Sequence, residues 1–238
     1  MVILGRIKVE ILNRTAQVAR YWSNEELQRL SKIVSGDVVN VSGWKDEDKQ
    51  GRHYREYFHQ ARSYTVTNYY GESGFQNAPG ELLLNLNTPL RPSLRARFDV
   101  VLCHTVLEHV FDVCTAFSNL ASMTRDLLIV VVPFCQIQHE LASFGDYWRF
   151  TPTCLRELYA RSGLAVIYES SNEDFACGNY VLFCGSRYPE RHRGLLPSYM
   201  PLGLQGSWIG QHWTVRFLPK LWVRRVRVEN KSEATGRC

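Results

Sequence analysis

The apolar positions of this chain fall into two rhythms that alternate along its length. Residues 24–34 (NEELQRLSKIV) place Leu27, Leu30 and Ile33 three apart, with Asn24 as an N-cap and Gly36 just beyond the end, which predicts a helix. The runs 37–42 (DVVNVS), 64–68 (YTVTN) and 81–85 (ELLLN) predict strands, the last two separated by a loop rich in glycine and asparagine. Residues 98–103 (FDVVLC) and 127–132 (LLIVVV, ending at Pro133) are near-continuous apolar runs, as expected of strands covered on both faces. Between them, Val106, Leu107, Val110, Val113, Ala116, Phe117 and Leu120 keep helical spacing, which predicts a helix over 105–123. Thr151 and Pro152 supply an N-cap and a first-turn proline to a helix that carries Leu155, Leu158 and Tyr159 inward and stops at Gly163. Strands at 165–169 and 180–184 close the pattern.

Strands alternating with helices through short loops predict an α/β domain with a parallel sheet and helices on both faces. In such sheets ligands bind beyond the carboxyl ends of the strands, near the point where strand order reverses. The segments after Val41, Val66, Leu84, Leu102 and Val132 are therefore the ones in which to seek a site.

A hydrophobic content of 45% is ample for a conventional core and excludes a disordered or fibrous chain. The longest apolar run, 127–134, is far short of the roughly 20 residues that span a bilayer. Arg6, Lys8 and Glu10 interrupt the N-terminus without a signal-peptide pattern, so a cytoplasmic protein is expected. The seven cysteines are odd in number and include no C-x-x-C pair, which favours reduced, mostly buried thiols and no metal site. Charge divides the chain unevenly. Residues 187–238 hold 10 Lys or Arg against 3 Asp or Glu, and residues 1–186 hold 18 against 20. The expected organisation is a domain over 1–186 and a basic, aromatic extension over 187–238.

The stretch 98–110 (FDVVLCHTVLEHV) resembles the fourth-motif region of class I S-adenosylmethionine-dependent methyltransferases. The likeness extends to 84–90 (LNLNTPL) and to 146–155 (DYWRFTPTCL), the latter similar to small-molecule and sugar methyltransferases of this class. The resemblance implies a Rossmann-like, seven-stranded, mostly parallel sheet whose last strand is antiparallel. It also implies S-adenosylmethionine as cofactor, held by Ser42, Gly43 and Trp44, by Asn68 at the ribose, by Asn85 at the adenine and by His104 at the strand end. Three departures stand out. Asn40-Val41-Ser42-Gly43-Trp44 occupies the place of an acid followed by G-x-G, and the two acids that face ribose and adenine are Asn68 and Asn85. An amide still accepts and donates hydrogen bonds there, without the charge assistance of a carboxylate. Asp46, Glu47, Asp48 and Glu72 are the acids available as substitutes.

Methyl transfer from a sulfonium needs alignment of the nucleophile and, for an O–H or N–H acceptor, a base. On this reading His104, His139 and Tyr147 are the catalytic candidates, and Arg149 is a handle for an anionic acceptor. Competing structural roles exist for each. Thr105-x-x-Glu108 fits a capping box, His109 fits a helix surface, Asp146 and Arg149 fit an ion pair, and Trp148 and Phe150 fit the core. In the extension, residues 212–228 interleave Trp213, Phe217 and Trp222 with five cations, which suits an anionic membrane surface or a polyanion as well as packing against the domain. Three functions follow from these features: methyl transfer to a small polar acceptor such as a sugar, a catalytically silent methyltransferase-like binding or assembly module, and a peripheral adaptor acting through the basic extension.

Overall fold

The computed structural model describes residues 2–71, 74–140, 143–172, 178–199 and 201–203, with the side chains of residues 2–16 excepted. The segment 212–228 and Glu72 lie outside the described residues. Helix α1 (Val2–Ser31) leads into β1 (Gly36–Val41), followed by the one-turn α2 (Tyr54–Tyr57), β2 (Ala61–Asn68), β3 (Glu81–Leu83) and β4 (Phe98–His104). Then come α3 (Val113–Met123), β5 (Thr124–Cys135), α4 (Pro152–Arg161), β6 (Ala165–Ser171) and β7 (Asn179–Ser186). The seven strands form one sheet in the order β3-β2-β1-β4-β5-β7-β6. β1 to β5 run parallel, and β7 is antiparallel to both of its neighbours, as the resemblance implies.

Each face of the sheet owns one apolar cluster, because successive side chains of a strand point to opposite sides. Val39, Val101, Cys103, Leu128 and Val130 face α3 and α4, where Phe117, Leu155 and Tyr159 fill the layer. Val38, Val100, Leu102, Ile129 and Val131 face α1 and α2, where Leu27, Leu30, Tyr54 and Tyr57 fill the other. The buried Tyr159 hydroxyl donates to the carbonyls of Leu128 and Phe183, both at 3.0 Å, so its polar end is satisfied inside the core.

Four elements differ from the sequence expectation. Asn24 is an interior residue of α1, not its cap, because the helix begins at Val2. The helix expected over 105–123 is broken: Leu107–His109 is a 3₁₀ turn, Val110 is extended, and α3 starts only where Asp112 accepts from the Thr115 backbone N–H. The capping box is also absent, since Thr105 has φ 54° and Glu108 makes no hydrogen bond with its carboxylate. Finally, β5 runs through Pro133. Pairing with β4 ends at Val131, so the missing N–H of the proline falls beyond the β4 ladder, where the Pro133 carbonyl accepts from the Phe150 N–H at 3.0 Å.

The first part of the extension packs on the domain. Leu196 and Tyr199 join the α1-side cluster, Leu202 joins the other, and Arg187 donates to the carbonyls of Ala121 and Thr124. Of the five described cysteines, Cys103 and Cys184 are buried in strands while Cys114, Cys135 and Cys154 are exposed. Among the described residues there is no metal-ligand cluster, and no helix is long and apolar enough to cross a membrane.

Candidate functional site

Strand order reverses between β1 and β4, and beyond their carboxyl ends opens a cleft of about 370 Å³. The volume lies in the range of small-ligand sites. Ser42, Asn68, Asn85, Asn87 and Thr105 enter it from the ends of β1 to β4, bringing amides and hydroxyls. His109, Phe144 and Tyr147 enter from the segments after β4 and β5, and Tyr69 and Tyr70 from the loop after β2. Asp, Glu, Lys and Arg are absent from the lining among the described residues.

The turn after β1 holds an unusual backbone. Ser42 and Trp44, the two positions where the resembling family carries glycine, have φ 54° and 48°. The left-handed conformation survives although both residues carry a Cβ, at a cost of about 1–2 kcal/mol each. Gly43 lies between them for a different reason. A Cβ there would sit 2.4 Å from the Asn40 amide nitrogen, which donates to the buried Asp46 carboxylate at 2.9 Å. Asp46 also accepts from the Tyr64 hydroxyl and from Arg55, so it braces the turn instead of serving as a ribose acid.

Asn68 occupies the ribose position and is heavily engaged. Its oxygen accepts from the Trp44 N–H at 2.7 Å, and its amide nitrogen donates to Glu81 at 2.6 Å and to the Trp44 carbonyl at 3.2 Å. Glu81, which the sequence reading did not single out, in turn accepts from the N–H groups of Gln76 and Ala78. Its carboxyl is held below the usual range by these bonds against the opposing effect of burial. Asn85 accepts from the Asn87 N–H at 2.9 Å, and its amide nitrogen has no protein partner among the described residues. The Trp44 ring turns away from the cleft, with the Lys45 ammonium 5.1 Å from its centre.

Neither of the two histidine candidates lines the cleft. His104 is buried on the α1 face, where its Nδ1 accepts from Arg20 at 3.0 Å, leaving Nε2–H to donate to Ser23 Oγ at 2.9 Å. Burial, reinforced by Arg20, drives its pKa well below the ordinary value, so it is a neutral link between α1 and β4. Strand parity carried this signal, because His104 shares the face of Val100 and Leu102. His139 does not line the cleft and packs edge-on against His109 with ring centres 5.0 Å apart. Arg149 has all five N–H groups engaged, in a bidentate pair with Asp146 at 2.6 and 2.7 Å and on the carbonyls of Gln136, Ile137 and Trp148. It clamps the loop after β5 and holds Asp146 down to about 2. It has no donor left for a substrate. Tyr147 does line the cleft, with its ring lying on Gly145, where a Cβ would meet the ring at 2.5 Å.

The histidine in the cleft wall is His109. Its Nδ1 lies 2.7 Å from the Gly145 carbonyl, which can only accept, so that nitrogen carries the proton and Nε2 keeps a free lone pair. Burial lowers its pKa and keeps it neutral. Behind it, Glu108 Oε1 stands 3.9 Å from Nε2. Glu108 is fully buried, neither carboxylate oxygen has a hydrogen-bond partner, and burial raises its pKa to about 7. A buried, unpaired carboxyl beside the wall of a cleft is a mark of a functional site.

No family model and no curated protein sequence matches the chain. Solved structures do. The YcgJ protein from Bacillus subtilis is similar with a TM-score of 0.53 and 10% identity, over 70% of this chain and 98% of its own. A Haloferax volcanii methyltransferase, solved with the Trm112 methyltransferase activator, is similar with a TM-score of 0.51 and 13% identity, over 71% and 90%. A Bacillus halodurans protein described as a methyltransferase gives a TM-score of 0.50 and 10% identity, over 69% and 98%. Identities this low speak for the fold alone, and the chain has the fold of the class I S-adenosylmethionine-dependent methyltransferases.

Proposed function

We propose that this protein binds S-adenosylmethionine in the cleft beyond β1, β2 and β4 and transfers its methyl group to a hydroxyl or amine of a small molecule. The observation that carries the reading is the division of one cleft into an amide-and-hydroxyl end at the switch point and an aromatic end that contains a neutral histidine with a free nitrogen.

The polar end suits a nucleoside. Ser42 and the Asn68 oxygen would hold the ribose, and the Asn85 amide nitrogen would donate to the base. When bound, S-adenosylmethionine supplies a methyl group on a sulfonium whose carbon–sulfur electron pair returns to sulfur on transfer. His109 Nε2 accepts the proton that the acceptor gives up, while the acceptor atom keeps the bonding pair and attacks. Glu108 then faces the imidazolium with a carboxyl that titrates near neutrality. Free thiols at Cys103 and Cys184 support a cytoplasmic setting. The basic segment 212–228 is retained as an anionic-surface contact on its composition alone.

Calorimetric titration with S-adenosylmethionine and S-adenosylhomocysteine tests the assignment, with sub-millimolar affinity expected. The His109→Asn variant should keep that affinity and lose roughly 10²–10⁴-fold in turnover. Equal turnover in the variant would remove His109 from the mechanism. A second reading, a silent binding module, is favoured by one observation: the Asn68 amide is already tied to Trp44 and Glu81. Absence of any binding heat or thermal shift with either compound would select it.

A further inference from the structure

Large apolar side chains that remain exposed are usually scattered over a surface. In this protein half of those among the described residues lie in or next to the cleft wall: Tyr69, Tyr70 and Tyr147 line it, and Phe111 and Trp148 pack beside Tyr147 without lining it. Phe111 is 69% exposed and Tyr70 is 65% exposed, and Tyr69, Tyr147 and Trp148 stand beside them. The rings form two sets. Tyr69 and Tyr70 lie 5.4 Å apart on the loop after β2. Phe111 packs edge-on against Tyr147 at 5.4 Å and leans on Trp148 at 6.2 Å, on the segments after β4 and β5. The second set is fixed in place, because the Trp148 indole N–H donates to the carbonyls of Val110 and Phe111 at 3.0 and 3.2 Å, and Tyr147 rests on Gly145. The two loops also approach one another, since a Cβ at Gly71 would meet Ser143 Cβ at 3.8 Å.

We infer that the acceptor is an uncharged planar aromatic compound bearing a hydroxyl group, held between these two sets of rings with its hydroxyl directed to His109. The inference rests on the proposed methyl transfer and names its substrate class. Three features select this class. Rings offer flat, polarisable faces that favour offset or edge-on packing against another ring. An anionic or cationic acceptor would leave its charge unpaired, because no charged side chain lines the cleft among the described residues and Arg149 has no donor free. A sugar would meet an end of the cleft where the rings of Tyr69, Tyr70, His109, Phe144 and Tyr147 and the side chains of Val106 and Val110 offer mainly flat or apolar faces, with hydroxyls at Tyr69, Tyr70, Ser143 and Tyr147 as the hydrogen-bonding groups besides His109. One hydroxyl on a flat ring matches one free imidazole nitrogen.

The test titrates the full-length protein by calorimetry with 2-naphthol, with its saturated analogue decahydro-2-naphthol, with methyl glucoside and with phenyltrimethylammonium, each alone and after saturation with S-adenosylhomocysteine. 2-Naphthol should bind at least 10-fold more tightly than the other three. Phe111→Ala and Tyr147→Ala should each weaken it at least 5-fold, and Phe111→Ala, outside the cleft lining, should bind S-adenosylhomocysteine as the parent does. Equal binding of the saturated analogue would reduce the site to a merely apolar one and overturn the inference, as would preferred binding of the glucoside or the ammonium probe. Naphthol affinity unaffected by both substitutions would overturn it as well. A protein that binds 2-naphthol in this manner but not S-adenosylhomocysteine would leave the aromatic site standing and sink the methyl-transfer reading, so the two failures are distinct.

Discussion

At neutral pH the carboxyl of Glu108 stands at its titration point inside the protein, and this governs how the fold responds to pH. The folded group keeps its proton up to about 7, whereas an unperturbed glutamate loses it near 4.5. Its contribution to stability is therefore complete below about 4.5 and is lost as pH rises through about 7, a change on the order of 3 kcal/mol. Glu108→Gln should remove that loss, so the difference in denaturation free energy between variant and parent should grow in the variant's favour from pH 4.5 to pH 8. A difference independent of pH would show that the carboxyl is paired in solution. Asn68 gives the opposite lesson about charge. Restoring an acid there looks beneficial from the family pattern, but the amide nitrogen of Asn68 donates to Glu81 at 2.6 Å. Asn68→Asp would bring two carboxylates together, and it should cost roughly 1–3 kcal/mol at pH 8 and less at pH 5, where the pair can share a proton. Chemical denaturation at the two pH values checks this.

At the scale of elements, the segment between β4 and α3 decides where the site residues point. Apolar spacing over 105–123 suits one long helix, yet Val106, Leu107 and Val110 reach the core from a tight turn just as well, so spacing alone could not separate the two. The backbone settles the matter: Thr105 is left-handed at φ 54°, and Asp112 caps the true helix. Thr105→Gly should leave the melting temperature unchanged or raise it, because a β-branched residue gains from losing its Cβ at positive φ. Asp112→Ala should lower it by a few degrees, through loss of the bond to the Thr115 N–H. A capping box at Thr105 would give the reverse order in the same thermal melts. This turn also places His109 in the cleft wall and Phe111 beside Tyr147, which helical geometry over the same residues would not do.

For the whole molecule, packing on the sheet continues past the last strand. Leu196, Tyr199 and Leu202 pack on the two faces of the sheet, and His192 Nε2 meets Asp126 at 3.0 Å. Truncation after Arg187 should lower the midpoint and broaden the transition relative to the full chain. Circular dichroism melts of the truncated and full-length chains decide the question, and equal midpoints would make the packing of Leu196, Tyr199 and Leu202 an ornament on a complete domain.

The sequence by itself determined the class of fold, because a strand covered on both faces must be apolar at consecutive positions, and the runs at 98–103 and 127–132 are short, rich in β-branched residues and set between segments of helical spacing. It also pointed to the edge of the sheet at which a cleft opens, because Ser42, Asn68 and Asn85 follow strands, and loops after the carboxyl ends of parallel strands converge at the switch point. Tertiary structure alone decided which residues face the cleft. His104 and His109 are five positions apart in one motif, but strand parity turns the first onto α1, and a 3₁₀ turn sends the second to the cleft. Arg149 carries a charge that local sequence leaves available, and only the folded loop shows that all five of its N–H groups are spent. Local pattern encodes burial, which is a property of one residue; availability depends on partners brought from distant segments, and these meet only in the folded chain.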